Sequence, residues 1–432
     1  DLDRRTMLDR GTLFRVASIT KTLTATAVVQ LRDAGKLRLD DPLERFVPEF
    51  RAVRARGGPL SEVTLRRLLS HHAGLDSDAP RDYWDSYDFP SRAEVLAELD
   101  RAAVAIAPGS AFKYSNLAFA LLGEVVARVS GMDYARYVHD AILAPLGMPA
   151  SGFDLTDELR PRLATGYEPQ PFEDHPRRAP QPALEGLLAA AALITCVDDL
   201  ARWIAFQLGA DTARATAVLS AGSLAEMHRP AYLEPDWSKG YGLAWRSVRD
   251  GDHVYLEHGG ALPGYRCALL ISKAAGLGVV VLTNLGWHDA AQRIALTLLH
   301  DLVAKASRPG PRPDFTAVPA SLARLLGLYG WHGVPTLQIV FRQGRLRMVS
   351  VDPFGHALHA PAGLRPTDDP ALLAVEGGRA AGEFARFTFQ ADGSVREFRL
   401  GGAVYRRLSV QADRGTNNHG PRTADGSAAR RS

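Results

Sequence analysis

Residues 19–34 are apolar nearly all round and then meet Gly35. A helix with an apolar circumference has no face to give to water, so it must lie inside a larger fold and end at the glycine. Residues 117–129 (LAFALLGEVVARV) repeat the pattern and stop at Ser130-Gly131. Two buried helices need other elements packed around them. The chain's 432 residues supply those elements and leave enough for a second domain. A hydrophobic fraction of 46% with 23% charged residues is that of a globular protein with ample core material.

Elsewhere the pattern is different. Residues 36–113 are broken by Pro, Gly and Asp into short helices and loops. Residues 154–185, rich in Pro and charge, read as an excursion over the surface. Strand patterns follow at 241–248, 253–256, Tyr265–Ser272 and Leu277–Thr283, the last (GVVVLT) reading as buried on both faces. Residues 290–304 return to helical periodicity. The reading is an α+β fold, an antiparallel sheet flanked by helices. Residues 306–320 form a Pro-rich linker. From 321 to 410 the sequence alternates repeatedly (336–341, Arg345–Ser350, 384–390, Val395–Leu400, 404–408), as a small antiparallel β-barrel-like domain does. The tail 411–432 lacks large hydrophobes and reads as disordered.

Composition excludes several classes. A net charge of +3 supplies no field for nucleic acid. Cys196 and Cys267 cannot build a disulfide framework or a Cys-rich zinc site. No apolar run reaches the ~18 residues of a membrane span. Localisation stays open between cytoplasm and periplasm or exterior, because the chain starts at Asp1 and shows no signal segment.

The chain contains no GxSxG elbow, Walker loop, HExxH or GxGxxG opening a helix. What remains is Ser-x-x-Lys, in Ser18-Ile-Thr-Lys21 and Ser110-Ala-Phe-Lys113. Only six of 51 basic residues are lysines, so each match carries weight. Ser18 opens the apolar helix, where free N–H groups and the dipole can hold negative charge on a carbonyl oxygen under attack. Lys21, at i+3, lies on the same face. The bland alternative makes Ser18 an N-cap. Ser110 follows Pro108-Gly109 in a turn.

The surroundings favour chemistry. Phe14-Arg-Val-Ala-Ser-Ile-Thr-Lys21 resembles the nucleophile segment of the serine β-lactamase-fold hydrolases. These include class C β-lactamases, penicillin-binding DD-peptidases, D-aminopeptidases and related esterases. Further segments match in order: Leu68-Leu-Ser-His-His-Ala-Gly-Leu75, Pro108-Gly-Ser-Ala-Phe-Lys-Tyr-Ser-Asn116, Pro145-Leu-Gly-Met148, Tyr241-Gly-Leu-Ala-Trp245 and His258-Gly-Gly260. The resemblance spans roughly residues 12–300. It implies a β-lactamase/transpeptidase-like fold with a helical subdomain.

The resemblance also assigns roles. Ser18 would be the acylated nucleophile, Lys21 its activator, Tyr114 the proton relay and Asn116 a substrate contact. A free Tyr titrates near pH ~10, so a phenolate base at neutral pH needs about 4 kcal/mol of help, which a Lys21 ammonium, with Lys113 adding field, would supply. Many relatives carry Lys-Thr-Gly where this chain has His258-Gly259-Gly260, which implies the branch rich in esterases and D-amino-acid peptidases. The Ala261 N–H would be the second oxyanion donor, the two glycines would let the strand approach substrate, and His258 would orient Tyr114 or meet a carboxylate when protonated. The implied activity needs no metal or cofactor. It acts on a small ester, amide or short D-amino-acid peptide, with DD-peptidase or β-lactamase activity, or an inactive binding homologue, as alternatives.

Other residues take quieter readings. His71-His72 lack partner ligands at metal spacing, and the two cysteines read as small buried hydrophobes. Tyr83, Trp84 and Tyr87 fall in a loop that could wall the cleft. Arg266 is one anchor for an anionic group on a chain rich in Arg. Relatives have an N-terminal helix and two strands before the nucleophile motif. About a dozen residues precede Phe14 here, so a fragment, or a sheet with an exposed edge, is expected.

Overall fold

The computed structural model describes residues 1–210, 212–306, 317–353 and 356–408. The chain divides into two compact units, Asp1–Arg308 and Pro309–Ser432. Most of the Pro-rich linker and the whole tail 411–432 lie outside the described residues.

In the first unit, helix α1 (Thr20–Asp33) and helix α2 (Asn116–Ser130) are both buried along most of their length. Four threonines sit in the dry interior of α1. Each returns its hydroxyl to a carbonyl: Thr20 to Ala17, Thr22 to Ile19, Thr26 to Thr22, and Thr24 to Ala189. No buried hydroxyl is left unpaired there, so the helix tolerates polar residues in a core.

A six-stranded antiparallel sheet runs in simple order through β1 (Tyr232–Leu233), β2 (Lys239–Tyr241), β3 (Arg246–Asp250), β4 (His253–Leu262), β5 (Tyr265–Ser272) and β6 (Leu277–Thr283). Helix α3 (Ala290–Ala306) packs on one face through Ala291, Ala295, Leu299 and Val303, against Tyr255, Ala268, Leu270 and Val279.

The sheet departs from the sequence reading in three places. The single strand expected at 241–248 is broken at 242–245. There Leu243 N–H bonds Met227 O and Ala244 N–H bonds Leu69 O, and Ala244 takes a left-handed φ of 64°. Those bonds pull the backbone out of the ladder. Strand β4 runs to Leu262, six residues past the expected end, because 258–262 continue to pair with β5. In β6 only Val279 is buried, since the strand has a single neighbour and lies at the sheet edge.

Residues 154–185 carry an exposed hairpin, Tyr167–Gln170 with Glu173–Arg178, anchored by buried Tyr167 and Glu168.

The second unit is a closed barrel of eight antiparallel strands, from Gly327–Trp331 to Ala403–Arg407. Tyr329 and Gly330 on the first strand pair with Arg407 and Arg406 on the last, which removes both edges. Tyr329, Ile339, Phe387, Val395 and Phe398 fill its core. Three strands had no alternating signal: Gly327–Trp331 holds two glycines, Ala362–Pro366 a glycine and a proline, and Leu372–Glu376 a continuous apolar run.

Candidate active site

The segment around Ser18 is built on backbone strain. Ala17, just before Ser18, has a φ of 48°, a left-handed value that non-glycine residues avoid. A 3-10 turn, Ala17–Ile19, then feeds α1 and leaves Ser18 at the floor of a cavity of about 650 Å³. Strand β4 is pressed onto this turn. A Cβ on Gly260 would lie 2.1 Å from the Val16 carbonyl oxygen, so no other residue fits. Gly259 is different: its nearest protein atom, Cys267 O, would sit 3.6 Å from a Cβ. Protein packing therefore explains the second glycine of the motif and not the first.

Residues far apart in sequence meet at Ser18. Lys21 Nζ donates to Ser18 Oγ at 3.1 Å, to Asn116 Oδ1 at 2.8 Å and to Ala190 O at 2.9 Å. Tyr114 Oη donates to Ser18 Oγ at 2.8 Å. Asn116 Nδ2 in turn donates to Asp78 Oδ1 at 2.9 Å, and Tyr83 Oη donates to the same oxygen at 2.8 Å.

The electrostatics set Lys21 and Tyr114 apart. Lys21 is fully buried, and burial lowers its pKa to about 7, opposed by the charge of Asp78. Burial pushes the Tyr114 phenol up to about 12, opposed by its bond to Ser18. Near neutral pH the ammonium that makes these three bonds can give up a proton and then accept one from Ser18, whereas the phenol holds its own. Lys113 donates to Ser77 Oγ at 3.3 Å, not to Tyr114. Ser110 donates to Ala107 O in an exposed turn, outside the cavity.

His258, Gly259, Gly260 and Ala261 all line the cavity. The His258 Nδ1 lies 2.8 Å from Gly259 O, which makes it the protonated ring nitrogen. Burial, and then the Lys21 charge, lower its pKa to about 3. The imidazole is thus neutral at physiological pH and offers no charge to a carboxylate. Its ring bonds Gly259, and no bond joins it to Tyr114.

Sequence reasoning passed over two residues. Asp78 holds Asn116 and Tyr83, and only its spacing before the Tyr-Ser-Asn segment could have hinted at it. The sequence marks His71 only as a residue without partner ligands at metal spacing. It has a φ of 58°, its backbone carbonyl accepts from Lys113 N–H at 2.8 Å, and its Nδ1 accepts from Ser115 N–H at 3.1 Å. Its ring lies 4.3 Å from that of Tyr114. His71 therefore cradles the Tyr-Ser-Asn segment from three sides, with the proton on a buried, unpartnered Nε2. His71→Phe keeps a ring but leaves the Ser115 N–H unpaired, at about 1–3 kcal/mol. The expected result is a kcat lower by about ten- to a hundredfold with KM within about twofold. His71→Asn tolerates the backbone, restores an acceptor and recovers part of the loss. Unchanged steady-state kinetics in His71→Phe would reduce His71 to packing.

The loop residues divide. Trp84 and Tyr87 line the cavity, whereas Tyr83 is buried beneath them against Asp78. His72 stacks on Tyr232 at 3.7 Å, and both cysteines are buried and free. Among the described residues no group of three or more His, Cys, Asp or Glu is placed to hold a metal ion, and no helix is long and apolar enough to cross a membrane.

Known proteins resemble this chain in sequence and fold. Protein flp of Staphylococcus aureus (strain COL) is 28% identical over 293 residues, covering 66% of this chain and 55% of its own length. Beta-lactamase-like protein 2 of Dictyostelium discoideum is 28% identical over 318 residues, covering 71% and 56%. The chain thus spans about half the length of these curated relatives. Among solved structures, SurE superposes with a TM-score of 0.57 at 27% identity, covering 94% of this chain and 90% of its own. The octameric penicillin-binding protein homologue of Pyrococcus abyssi shares the fold, with a TM-score of 0.59 at 23% identity and the same coverage. The beta-lactamase family model matches residues 1–302, and the chain belongs to that family.

Proposed function

We propose that the chain is a serine hydrolase that acylates Ser18 with esters or amides. One observation carries this reading: Ser18 Oγ is held between a buried lysine poised near neutrality and a protonated tyrosine. In the proposed cycle, neutral Lys21 takes the Ser18 proton as Oγ bonds to the carbonyl carbon. The N–H groups of Ser18 and Ala261 stabilise the oxyanion, while Asn116 bonds the acyl chain. Collapse breaks the bond to the leaving group, which takes the Tyr114 proton. Water then attacks the acyl-enzyme, gives up a proton to this pair, and Ser18 Oγ departs reprotonated.

His258-Gly259-Gly260 bears on the substrate. The ammonium and hydroxyl of a Lys-Thr-Gly strand, which hold a carboxylate beside the scissile bond, are both absent, and His258 is neutral. Losing a charge-assisted hydrogen bond costs about ten- to a hundredfold in binding. SurE has also been solved with D-Leu, which favours D-aminoacyl amides as a second substrate class. The expected result is a higher kcat/KM for p-nitrophenyl butyrate than for a chromogenic cephalosporin, by about tenfold or more. A cephalosporin hydrolysed faster than the ester would reverse the assignment.

A further inference from the structure

We propose that Arg266 is a carboxylate-recognition residue of the Ser18 cleft, so that preferred substrates carry a carboxylate on the part that reaches the α3 side of the sheet. This rests on the hydrolase reading above and names the substrate class for the same site.

The argument begins with register. Arg266 lies opposite Ala261 in the β4–β5 ladder, at the end of β4 that borders the cavity. Side chains alternate along a strand, so Arg266 shares its face with Ala268 and Leu270, both packed beneath α3. It therefore emerges where the start of α3 meets the cavity, and its guanidinium lies 5.5 Å from the Trp287 ring. Trp287 is exposed and walls this end of the cleft.

The charges around the cavity single out the same residue. Arg246 is paired with Glu257, whose other oxygen accepts from Gln292 at 2.7 Å. Asp289 is paired with Arg293. Lys21 is committed to Ser18, Asn116 and Ala190, and His71 and His258 are neutral. Arg266 forms no ion pair among the described residues, and its side chain makes one long bond, to Tyr265 O at 3.3 Å. Glu168 is the opposing charge that acts on it, without forming an ion pair: one carboxylate oxygen accepts from Gly264 N–H at 2.6 Å, and the other is buried without a hydrogen-bond partner. A partly buried guanidinium with unused donors beside an indole wall matches a carboxylate in charge and in its planar fork.

The test compares two activated esters of similar length on the full chain: p-nitrophenyl butyrate and the mono-p-nitrophenyl ester of glutaric acid. The glutarate ester is expected to have the higher kcat/KM by about ten- to a hundredfold, mostly through KM. In Arg266→Met that ratio falls to about one, and Arg266→Lys keeps part of it. A parent ratio of one or less, or a ratio that survives in Arg266→Met, overturns the proposal. Fluorophosphonate labelling of Ser18, read in parallel, reports on the hydrolase reading by itself. Calorimetric binding of glutaric acid monoanilide to Ser18→Ala, and its weakening by about tenfold or more when Arg266→Met is added, tests the subsite without turnover. Absence of that binding counts against Arg266 whatever the esterase activity.

Discussion

Ser18→Ala is expected to abolish covalent labelling by a fluorophosphonate and to lower ester turnover by on the order of 10⁴-fold, whereas Ser110→Ala retains both within about twofold. The two Ser-x-x-Lys segments are equal as letters and unequal as chemistry. Ser18 follows a strained Ala17, opens α1 and accepts hydrogen bonds from Lys21 and Tyr114. Ser110 sits in an exposed turn, and its lysine bonds Ser77. Labelling requires an oxygen whose proton can leave, and of the two serines only Ser18 has a lysine nitrogen and a phenol bonded to it. Intact-mass spectrometry with peptide mapping after labelling gives the answer directly. Equal loss of labelling in two variants that both remain folded would remove Ser18 as the nucleophile.

The physics behind that contrast also explains how much could be read from the sequence. The two core helices were legible because an apolar circumference has one meaning, and their observed ends fall within a residue or two of the expected ones. The family motifs named Ser18, Lys21, Tyr114, Asn116 and the 258–261 segment, and the fold brings all but Lys21 to the lining of one cavity, with Lys21 buried behind it and bonded to Ser18. Their protonation states were not legible. A pKa depends on burial, and the depth of Lys21 is set by α2 and by the chain around Ala190, nearly a hundred and more residues away. The same holds for His71. Its role comes from a backbone bond to Ser115 across 44 positions. The break at 242–245 was hidden for a related reason: its bonds go to Leu69 and Met227, and alternation along a strand carries no record of a competing partner. Local periodicity reports which face is apolar. It does not report where an isolated polar group will find its match.

The contrast between Lys21 and Tyr114 leads to the second large effect, a pH-rate profile. If neutral Lys21 is the base, kcat/KM for a neutral ester rises with pH through a midpoint near 7 and then levels off. Tyr114, pushed up to about 12, supplies no falling limb within the measurable range. His258 does not produce the rise, because its pKa is lowered to about 3, and the limb is expected to persist in His258→Asn. Lys21→Met removes the limb together with about 10³-fold or more of the rate. Stability follows the same proton. Lys21 has a pKa lowered from 10.5, so between about pH 7 and 10 the unfolded chain binds a proton that the folded chain releases. Folding is therefore favoured as pH rises across that window, and the contribution is absent below pH 7, where both states are protonated. A phenolate base would behave differently. Activity would then require Tyr114 to be ionised while Lys21 stayed charged, and the rise would be lost only with Tyr114. A Tyr114→Phe chain that keeps the midpoint near 7 at reduced rate assigns the limb to the lysine. One in which the midpoint vanishes while Lys21 remains returns the role of base to the tyrosine.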